Sequence, residues 1–398
     1  AMIPIMAALW AGPVFAHSGL YVSSPGVELV NEVSEVIISR QDDRTTLTMA
    51  NDYAGPVDDF AVLVPVPYVL EEDDFATVRP ELFQRFNDYS APRVVEYECS
   101  DFYWDYSVDY GDYGYHDDDY EESDVAVEAE YSVGIYEIVI LSAETAEGLM
   151  EWLEENGYGV DEAAEEVLTE YIEEGQLFFA AKIDSERLSF DEDGTTVLEP
   201  LQFGYDSEMF SLPVRLGTLN SPGEQDVILY ILTDEEDGQV GISNYTWLTI
   251  EDECMVDITA AGGASAYYGG QFAEAWTEEA SGEGWINEYA WSTSSCDPCP
   301  TDPPNESELE EAGYEGDRWN SFFTRLRVRF TPDAAARKGP IMMYTSAERT
   351  TKQIRFIDYN ADMEDRFEVC GSGMIDDPGS CDWYLDELYG ESDADADA

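Results

Sequence analysis

Acidic residues outnumber basic ones by 88 to 18 in this chain of 398 residues, and the formal net charge is −70 at pH 7. A surface this negative repels phosphate backbones and anionic bilayers, and it attracts divalent cations and basic proteins. Salt screens such repulsion over about 8 to 10 Å, so the fold should favour salty or calcium-bearing surroundings. The charge therefore argues against nucleic acid as a partner and predicts cations or a basic protein partner.

The first sixteen residues are uncharged and mostly apolar, and they end in Val14-Phe15-Ala16. The side chains at the third and first positions before His17 fit a signal-peptidase site, so residues 1–16 are predicted to be a signal peptide that begins upstream of Ala1. A buried core strand is the alternative. No later stretch approaches the roughly 18 apolar residues of a membrane helix. We expect an exported protein with no transmembrane segment in the mature chain, located in the periplasm, on the cell surface or outside the cell.

Six cysteines fit an oxidising compartment, where an even number predicts disulfides without fixing their connectivity. The motif Cys296-Asp297-Pro298-Cys299 has the spacing of a thioredoxin-like redox pair. Such a pair needs a stabilised thiolate, whereas nearby acids raise a thiol pKa. A structural disulfide, local or to another cysteine, is therefore favoured, and zinc is disfavoured because no second C-x-x-C pair is present. The structural disulfide candidates are Cys99, Cys254, Cys296, Cys299, Cys370 and Cys381.

Short segments rich in β-branched and aromatic residues recur along the chain and predict strands. Helical spacing is concentrated where Leu149, Trp152 and Leu153 share one face and a similar pattern follows. With Ser142 as the expected N-cap, residues 142–174 are predicted to form a helical hairpin inserted between strands. The predicted fold class is α+β, strand-dominated and disulfide-stabilised. The predicted strands are 36–39, 45–49, 60–66, 93–97, 136–141, 177–183, 227–232 and 245–250.

Two further segments receive local interpretations. Residues 306–312 favour another short helix. The glycine-rich residues 262–270 lack a lysine for a phosphate group and are interpreted as a flexible connector.

A composition shift near residues 207–223 predicts a boundary between two β-rich halves. The predicted divisions are 1–16 as signal peptide, 17–215 as an N-terminal half with the helical hairpin, 216–385 as a C-terminal half with the C-x-x-C motif, and 386–398 as a disordered acidic tail.

Seven segments recur in an order typical of one bacterial family: 59–67, 135–143, 152–158, 171–182, 213–217, 296–300 and 323–330. Together they resemble the DUF2330 family of exported bacterial proteins of unknown function, over most of residues 17 to about 350. The resemblance implies a bacterial envelope or surface protein with paired cysteines, and it implies no reaction. The chain departs from it in carrying His17 where a cysteine often follows the signal, and in its exceptional acidity.

Histidine is scarce, with only His17 and His116 in the chain. A Ser-His-Asp or Cys-His site has to use one of them, and no G-x-S-x-G or H-E-x-x-H motif occurs. An N-terminal His17 offers copper an amine and an imidazole, but the second imidazole has to come from His116 and nothing brings the two together. Copper is therefore disfavoured. A secreted enzyme, either a carboxylate-based hydrolase or a copper protein using His17, is the alternative function.

Residues 101–124 contain ten acids and six tyrosines. Calcium binds hard oxygen ligands of this kind, although the spacing matches no EF-hand. A solvated acidic loop that binds ions diffusely is the favoured alternative, and the tyrosines suit contact with a basic partner. The candidate calcium ligands are Asp112, Asp117, Asp118, Asp119 and Glu121.

Arg325, Arg327 and Arg329 alternate with apolar residues. On a strand this pattern places three guanidinium groups on one face. Cross-strand pairing with carboxylates is favoured, because acids surround them in excess, and an anion site is the alternative. No catalytic or cofactor-binding residue is assigned. The favoured function is an exported, non-catalytic binding or cell-envelope protein that is strongly acidic, with calcium as a candidate ligand of residues 101–124.

Overall fold

The computed structural model describes residues 20–23, 34–50, 60–95, 127–183, 187, 189–190, 196–197, 199–220, 223–296, 299, 301–347, 351–358 and 370. Strands dominate these residues, and disulfides are present, so the predicted fold class is confirmed. The helices are α1 (Glu81–Ser90), α2 (Ala146–Glu155), α3 (Ala164–Glu173), α4 (Ala264–Glu279), α5 (Glu306–Glu311) and α6 (Pro332–Lys338). The strands are β1 (Leu20–Ser23), β2 (Ser34–Gln41), β3 (Arg44–Met49), β4 (Phe60–Val66), β5 (Phe75–Thr77), β6 (Arg93–Val95), β7 (Val127–Val133), β8 (Tyr136–Leu141), β9 (Leu177–Ile183), β10 (Ser189–Phe190), β11 (Thr196–Val197), β12 (Leu201–Asp206), β13 (Ser211–Leu212), β14 (Gln225–Asp234), β15 (Gln239–Ile242), β16 (Met255–Val256), β17 (Glu283–Ser292), β18 (Ser321–Phe330), β19 (Ile341–Ser346), β20 (Lys352–Gln353) and β21 (Arg355–Asp358).

The chain divides into two compact units. The first lies within Ala1–Ala91, Ser123–Thr249 and Ala275–Gln353. Its largest sheet has eight strands in the order β20-β17-β18-β14-β2-β3-β12-β5, and only the β14–β2 pair is parallel. A second sheet has five antiparallel strands in the order β1-β4-β9-β8-β7. Smaller sheets pair β13-β19-β15 and β10-β11.

The main core of the first unit lies between its two large sheets. Ile38 and Leu229 from the eight-stranded sheet join Val64 and Phe179 from the five-stranded sheet in one buried cluster. Strand β14 is buried along nearly its whole length, which explains its continuous apolar sequence. The other face of each large sheet is covered by helices.

The helical hairpin covers the outer face of the five-stranded sheet. Leu153 of α2 and Leu168 of α3 pack with Phe178 of β9. The hairpin prediction is confirmed, but the expected N-cap is wrong. Thr145 caps α2 by accepting a hydrogen bond from the Gly148 amide, whereas Ser142 lies outside the helix.

Helices α1 and α5 cover the outer face of the eight-stranded sheet. Phe86 and Tyr89 of α1 and Leu309 of α5 pack against Tyr230 of β14 and Phe323 of β18. Helix α5 confirms the short helix predicted near residue 306.

Two sequence interpretations are wrong. The glycine-rich segment taken as a connector begins α4, where Tyr268, Phe272 and Ala275 are buried at helical spacing and outweigh the helix-breaking tendency of glycine. The segment predicted as a strand at 245–250 forms only an isolated bridge between Trp247 and Trp285.

The second unit lies within Pro92–Glu122, Ile250–Glu274 and Ile354–Ala398. Its parallel strands are ordered β16-β21-β6, and Val95, Met255 and Ile357 form a small core. A disulfide joins Cys254 to Cys370 across a sequence separation of 116 residues.

The predicted halves 17–215 and 216–385 stay a prediction about domains. Among the described strands, β14 pairs with β2, so chain from both sides of residue 215 enters the eight-stranded sheet. Residues 1–16 and 386–398 lie outside the described part of the chain, and their assignment as signal peptide and tail stays a prediction.

Candidate functional site

The three alternating arginines lie side by side on one face of β18. Their neighbours Leu326, Val328 and Phe330 point the other way, into the core between the two large sheets. The arginine side chains are only 5%, 17% and 12% exposed, in chain order. Charges buried to this extent need partners, because desolvation penalises an isolated ion heavily.

Asp226 on β14 is the partner of two of these arginines. Arg329 donates from Nε to Oδ1 at 2.6 Å and from Nη2 to Oδ2 at 2.7 Å, and Arg327 donates from Nη2 to Oδ2 at 2.7 Å. Burial by itself raises the pKa of the Asp226 carboxyl, but the hydrogen bonds and charges of Arg329 and Arg327 outweigh burial and bring the pKa below its ordinary value. Asp226 is therefore held as a carboxylate, 1% exposed, between two guanidinium groups.

Arg325 belongs to a second network at the α1 side of the same face. Its Nε donates to Glu288 of β17, which is 1% exposed, and its Nη1 donates to Asn87 Oδ1 of α1 at 2.8 Å. The guanidinium lies 5.2 Å from the ring of Tyr230, whose hydroxyl donates to Glu35 Oε1 at 2.6 Å. Burial raises the pKa of the Tyr230 hydroxyl well above its ordinary value, and Glu35 adds to the rise while Arg325 opposes it.

An aromatic side chain closes the other end of the row. Trp276 of α4 lies with its ring 5.6 Å from the Arg329 guanidinium, and its Nε1 donates to Glu224 at 3.2 Å. Glu224 also lies 3.9 Å from Arg329 and is half exposed. We call the set formed by Arg325, Arg327, Arg329, Asp226 and Glu288 the arginine ladder.

The arginine ladder alternates positive and negative groups across three strands. Its geometry corresponds to the favoured interpretation, which is pairing with carboxylates on neighbouring strands. The alternative, an external anion site at these arginines, stays a prediction. Asp226 and Glu288 could not be predicted as partners from the sequence, since they are two of 88 acids. Glu288 in addition stands at a bulge between Asn287 and Tyr289, a displacement that period-two spacing does not predict.

A cluster of carboxylates lies at one end of the eight-stranded sheet, where two turns meet. Asp42 lies in the β2–β3 turn, Asp234 is the last residue of β14, and Asp237 lies in the β14–β15 turn. Burial raises the pKa of the Asp237 carboxyl, and the charges of Asp234, Glu236 and Asp42 raise it further, while Arg40 opposes them. We call Asp42, Asp234, Glu236 and Asp237 the acidic end. Burial and mutual repulsion among them therefore make ionisation of Asp237 less favourable.

A shallow cavity of about 220 Å³ opens beside the N-terminus of α2. Its lining includes Trp152, Leu149 and one carboxylate, Glu144. A carboxylate-based hydrolase needs two acids flanking the bond that it cleaves. The lining of this cavity therefore contains one of the two acids that such an enzyme needs.

Several predicted site residues fall outside the described part of the chain. They are the calcium candidates Asp112, Asp117, Asp118, Asp119 and Glu121, the histidines His17 and His116, and the cysteines Cys99 and Cys381. Among the residues that are described, no three His, Cys, Asp or Glu side chains are grouped as a metal site. Within the same residues, no helix has the length and apolar character needed to cross a membrane.

The other four cysteines form two disulfides. Cys254 is bonded to Cys370, with a Cα–Cα distance of 5.0 Å, and Cys296 to Cys299, with a Cα–Cα distance of 5.1 Å. The C-x-x-C motif is therefore a local disulfide.

A comparison with protein families identifies the class of protein. Residues 12–339 match the family described as uncharacterized protein conserved in bacteria, DUF2330. The chain belongs to the DUF2330 family, as the ordered segments of its sequence predicted. No curated protein and no solved structure matches it.

Proposed function

We propose that the chain is an exported, non-catalytic binding or cell-envelope protein. Its acidic surface takes cations, calcium foremost, and attracts a basic protein partner. The observation that carries the proposal is the way in which the few basic residues are used.

Most of the basic side chains in the described ranges are engaged by carboxylates of the same chain. Besides the arginine ladder, close pairs are Arg215–Glu170, Arg79–Glu311, Arg85–Glu308, Arg44–Asp74, Arg355–Glu253 and Lys338–Glu283. With 88 acids and 18 bases, internal pairing neutralises a minority of the carboxylates. The remaining negative charge has to be balanced from solution, by ions or by a positively charged partner.

The acidic end supports the cation part of the proposal. The raised pKa of Asp237, caused by burial and by neighbouring carboxylates, reflects repulsion that a divalent cation relieves. The specific calcium ligands that we propose, Asp117, Asp118 and Asp119 with Asp112 and Glu121, come from the sequence.

Export is supported by the apolar residues 1–16 and by the two disulfides, which are typical of oxidising compartments. Fractionation of bacteria that make the full chain with a C-terminal tag tests this part. We expect the tagged chain outside the cytoplasm and shortened by the leader. Recovery of full-length chain in the cytoplasm would contradict export.

Thermal unfolding with added calcium, magnesium or sodium at matched ionic strength tests the cation part. A specific site predicts stabilisation that saturates with calcium and that magnesium does not reproduce. Equal and gradual stabilisation by all three salts would mean screening alone, and the proposed calcium site would be withdrawn.

A further inference from the structure

The two disulfides among the described residues occupy different environments. Cys254 is completely buried and is bonded to Cys370, which is half-buried and 116 positions away. Cys296 and Cys299 are three positions apart, and Cys299 is exposed to solvent. Cys296 is half-buried and, like Trp291, packs against the buried cluster that contains Phe323. One of these disulfides therefore includes an exposed cysteine, whereas the other joins a half-buried cysteine to a completely buried one.

Exposure decides which disulfide an external thiol can attack. Thiol–disulfide exchange begins when a thiolate reaches one sulfur of the bond, so its rate depends on access. Loop length acts in the same direction, because a bridge across a long loop restricts the unfolded chain more than a bridge across a short one. Both effects favour reduction of the Cys296–Cys299 bond before the Cys254–Cys370 bond.

Hydrogen bonds on both sides of Cys296 and Cys299 do not involve the bond between the two sulfur atoms. On the N-terminal side, Trp291 Nε1 donates to Ser295 Oγ at 3.3 Å. On the C-terminal side, Arg85 donates to Thr301 Oγ1 at 2.8 Å. The Cys299 sulfur lies 3.3 Å from the Cys296 carbonyl oxygen, which is positioned to accept a hydrogen bond from a Cys299 thiol. Breaking the bond between the two sulfur atoms removes none of these three contacts.

We propose that Cys296–Cys299 is a thiol–disulfide exchange site, reduced by an external dithiol while Cys254–Cys370 stays oxidised. A thiolate of the dithiol attacks the exposed Cys299 Sγ, the bond between the two cysteines breaks, and Cys296 leaves as a thiolate that takes up a proton. The second thiolate of the dithiol then attacks the dithiol sulfur that is bonded to Cys299. This releases Cys299 as a thiolate, which takes up a proton. The dithiol is oxidised to a disulfide, and the two cysteines together gain two electrons and two protons.

This role does not require that the chain itself supply a stabilised thiolate. In the proposed step the chain supplies the disulfide that is attacked, and the dithiol supplies the thiolate.

Limited reduction of the folded full-length chain with dithiothreitol tests the proposal. Samples are taken over time, free thiols are blocked with iodoacetamide, and cysteine peptides are quantified by mass spectrometry. We expect Cys296 and Cys299 to be labelled at least about tenfold faster than Cys254 and Cys370. Equal rates, or faster labelling of Cys254 and Cys370, would overturn the proposal.

Two controls separate exposure from intrinsic reactivity. In urea, the labelling rates of the two pairs should approach each other, because unfolding exposes Cys254. In the double variant Cys296→Ser/Cys299→Ser, the labelling rates of Cys254 and Cys370 should match those of the parent chain. Accelerated labelling of that pair in the double variant would show that the Cys296–Cys299 bond protects Cys254–Cys370. It would contradict independent reduction of the two disulfides.

Discussion

Arg329 and Asp226 face each other across neighbouring strands and are joined by two parallel hydrogen bonds of 2.6 and 2.7 Å. This bidentate geometry is the strongest form of contact between a guanidinium and a carboxylate. Because Asp226 also accepts from Arg327, one buried carboxylate balances two arginines. Removing that carboxylate leaves both arginines short of a counter-charge.

The first prediction concerns Asp226→Asn, which keeps the size of the side chain and removes its charge. We expect the free energy of unfolding to fall by about 3 to 5 kcal/mol, the usual effect of breaking a buried ion pair on one side. Urea denaturation of the variant and the parent chain measures the difference.

Glu224→Gln is the matched control for this prediction. Glu224 lies 3.9 Å from Arg329 but is half exposed, so its removal should cost less than about 1 kcal/mol. Similar losses of unfolding free energy in the two variants would contradict the claim that burial makes the Asp226 ion pairs stronger than the exposed pair of Glu224.

The second prediction is a pH dependence at Asp226. Its pKa in the folded chain is below the ordinary value of 3.8, so the ionised carboxylate contributes stability that is present above that value and lost as the pH falls through the folded pKa. The stability difference between the parent chain and Asp226→Asn should therefore be constant near neutral pH and shrink in acid. Urea denaturation at a series of pH values measures it, and a difference that grows in acid would contradict the sign.

The third prediction concerns Asp237 at the acidic end. Its pKa is raised in the folded chain, so the ionised side chain destabilises the fold above that pKa, and the penalty disappears as the pH falls through it. Asp237→Asn should raise the free energy of unfolding at neutral pH and low salt, by less than about 1 kcal/mol because the group is largely solvated. The gain should shrink with added sodium chloride.

Glu151→Gln, an exposed position on α2, is the control of equal charge. Chemical denaturation at low and high salt measures both variants. A gain in Glu151→Gln as large as that in Asp237→Asn would attribute the effect to total charge, not to the acidic end.

The fourth prediction tests the start of the helical hairpin. Thr145→Ala should cost about 0.5 to 2 kcal/mol, because Thr145 Oγ1 accepts from the Gly148 amide at the first turn of α2. Ser142→Ala should cost less, since Ser142 donates to Glu128 at an exposed position. Thermal unfolding of both variants ranks them, and the reverse order would restore Ser142 as the cap.

Local patterns in the sequence predicted much of the fold. The hairpin at 142–174 follows from apolar spacing and from glycines after each helix, and Gly157 and Gly175 have the positive φ angles that end helices. The buried run of β14 follows from its continuous apolar residues, since both faces are covered.

Other features depend on tertiary packing that a single sequence does not contain. Helix α4 forms through two glycines because Phe272 and Ala275 are buried, and no local signal separates that outcome from a connector. The sequence does not distinguish the partners of Arg325, Arg327 and Arg329 from the many other acids. Asp226 and Glu288 become partners because β14 and β17 are the strands that pair with β18.

Calorimetric titration of calcium into the full chain tests whether residues 117–119 bind calcium. Three proteins are compared: the parent chain, the variant Asp117→Asn/Asp118→Asn/Asp119→Asn, and the control Asp393→Asn/Asp395→Asn/Asp397→Asn, which loses the same charge from the tail. We expect saturable calcium binding by the parent and the control, and its loss in the first variant. Equal binding by all three proteins would contradict a calcium site at residues 117–119 and reduce the acidic surface to a screening role.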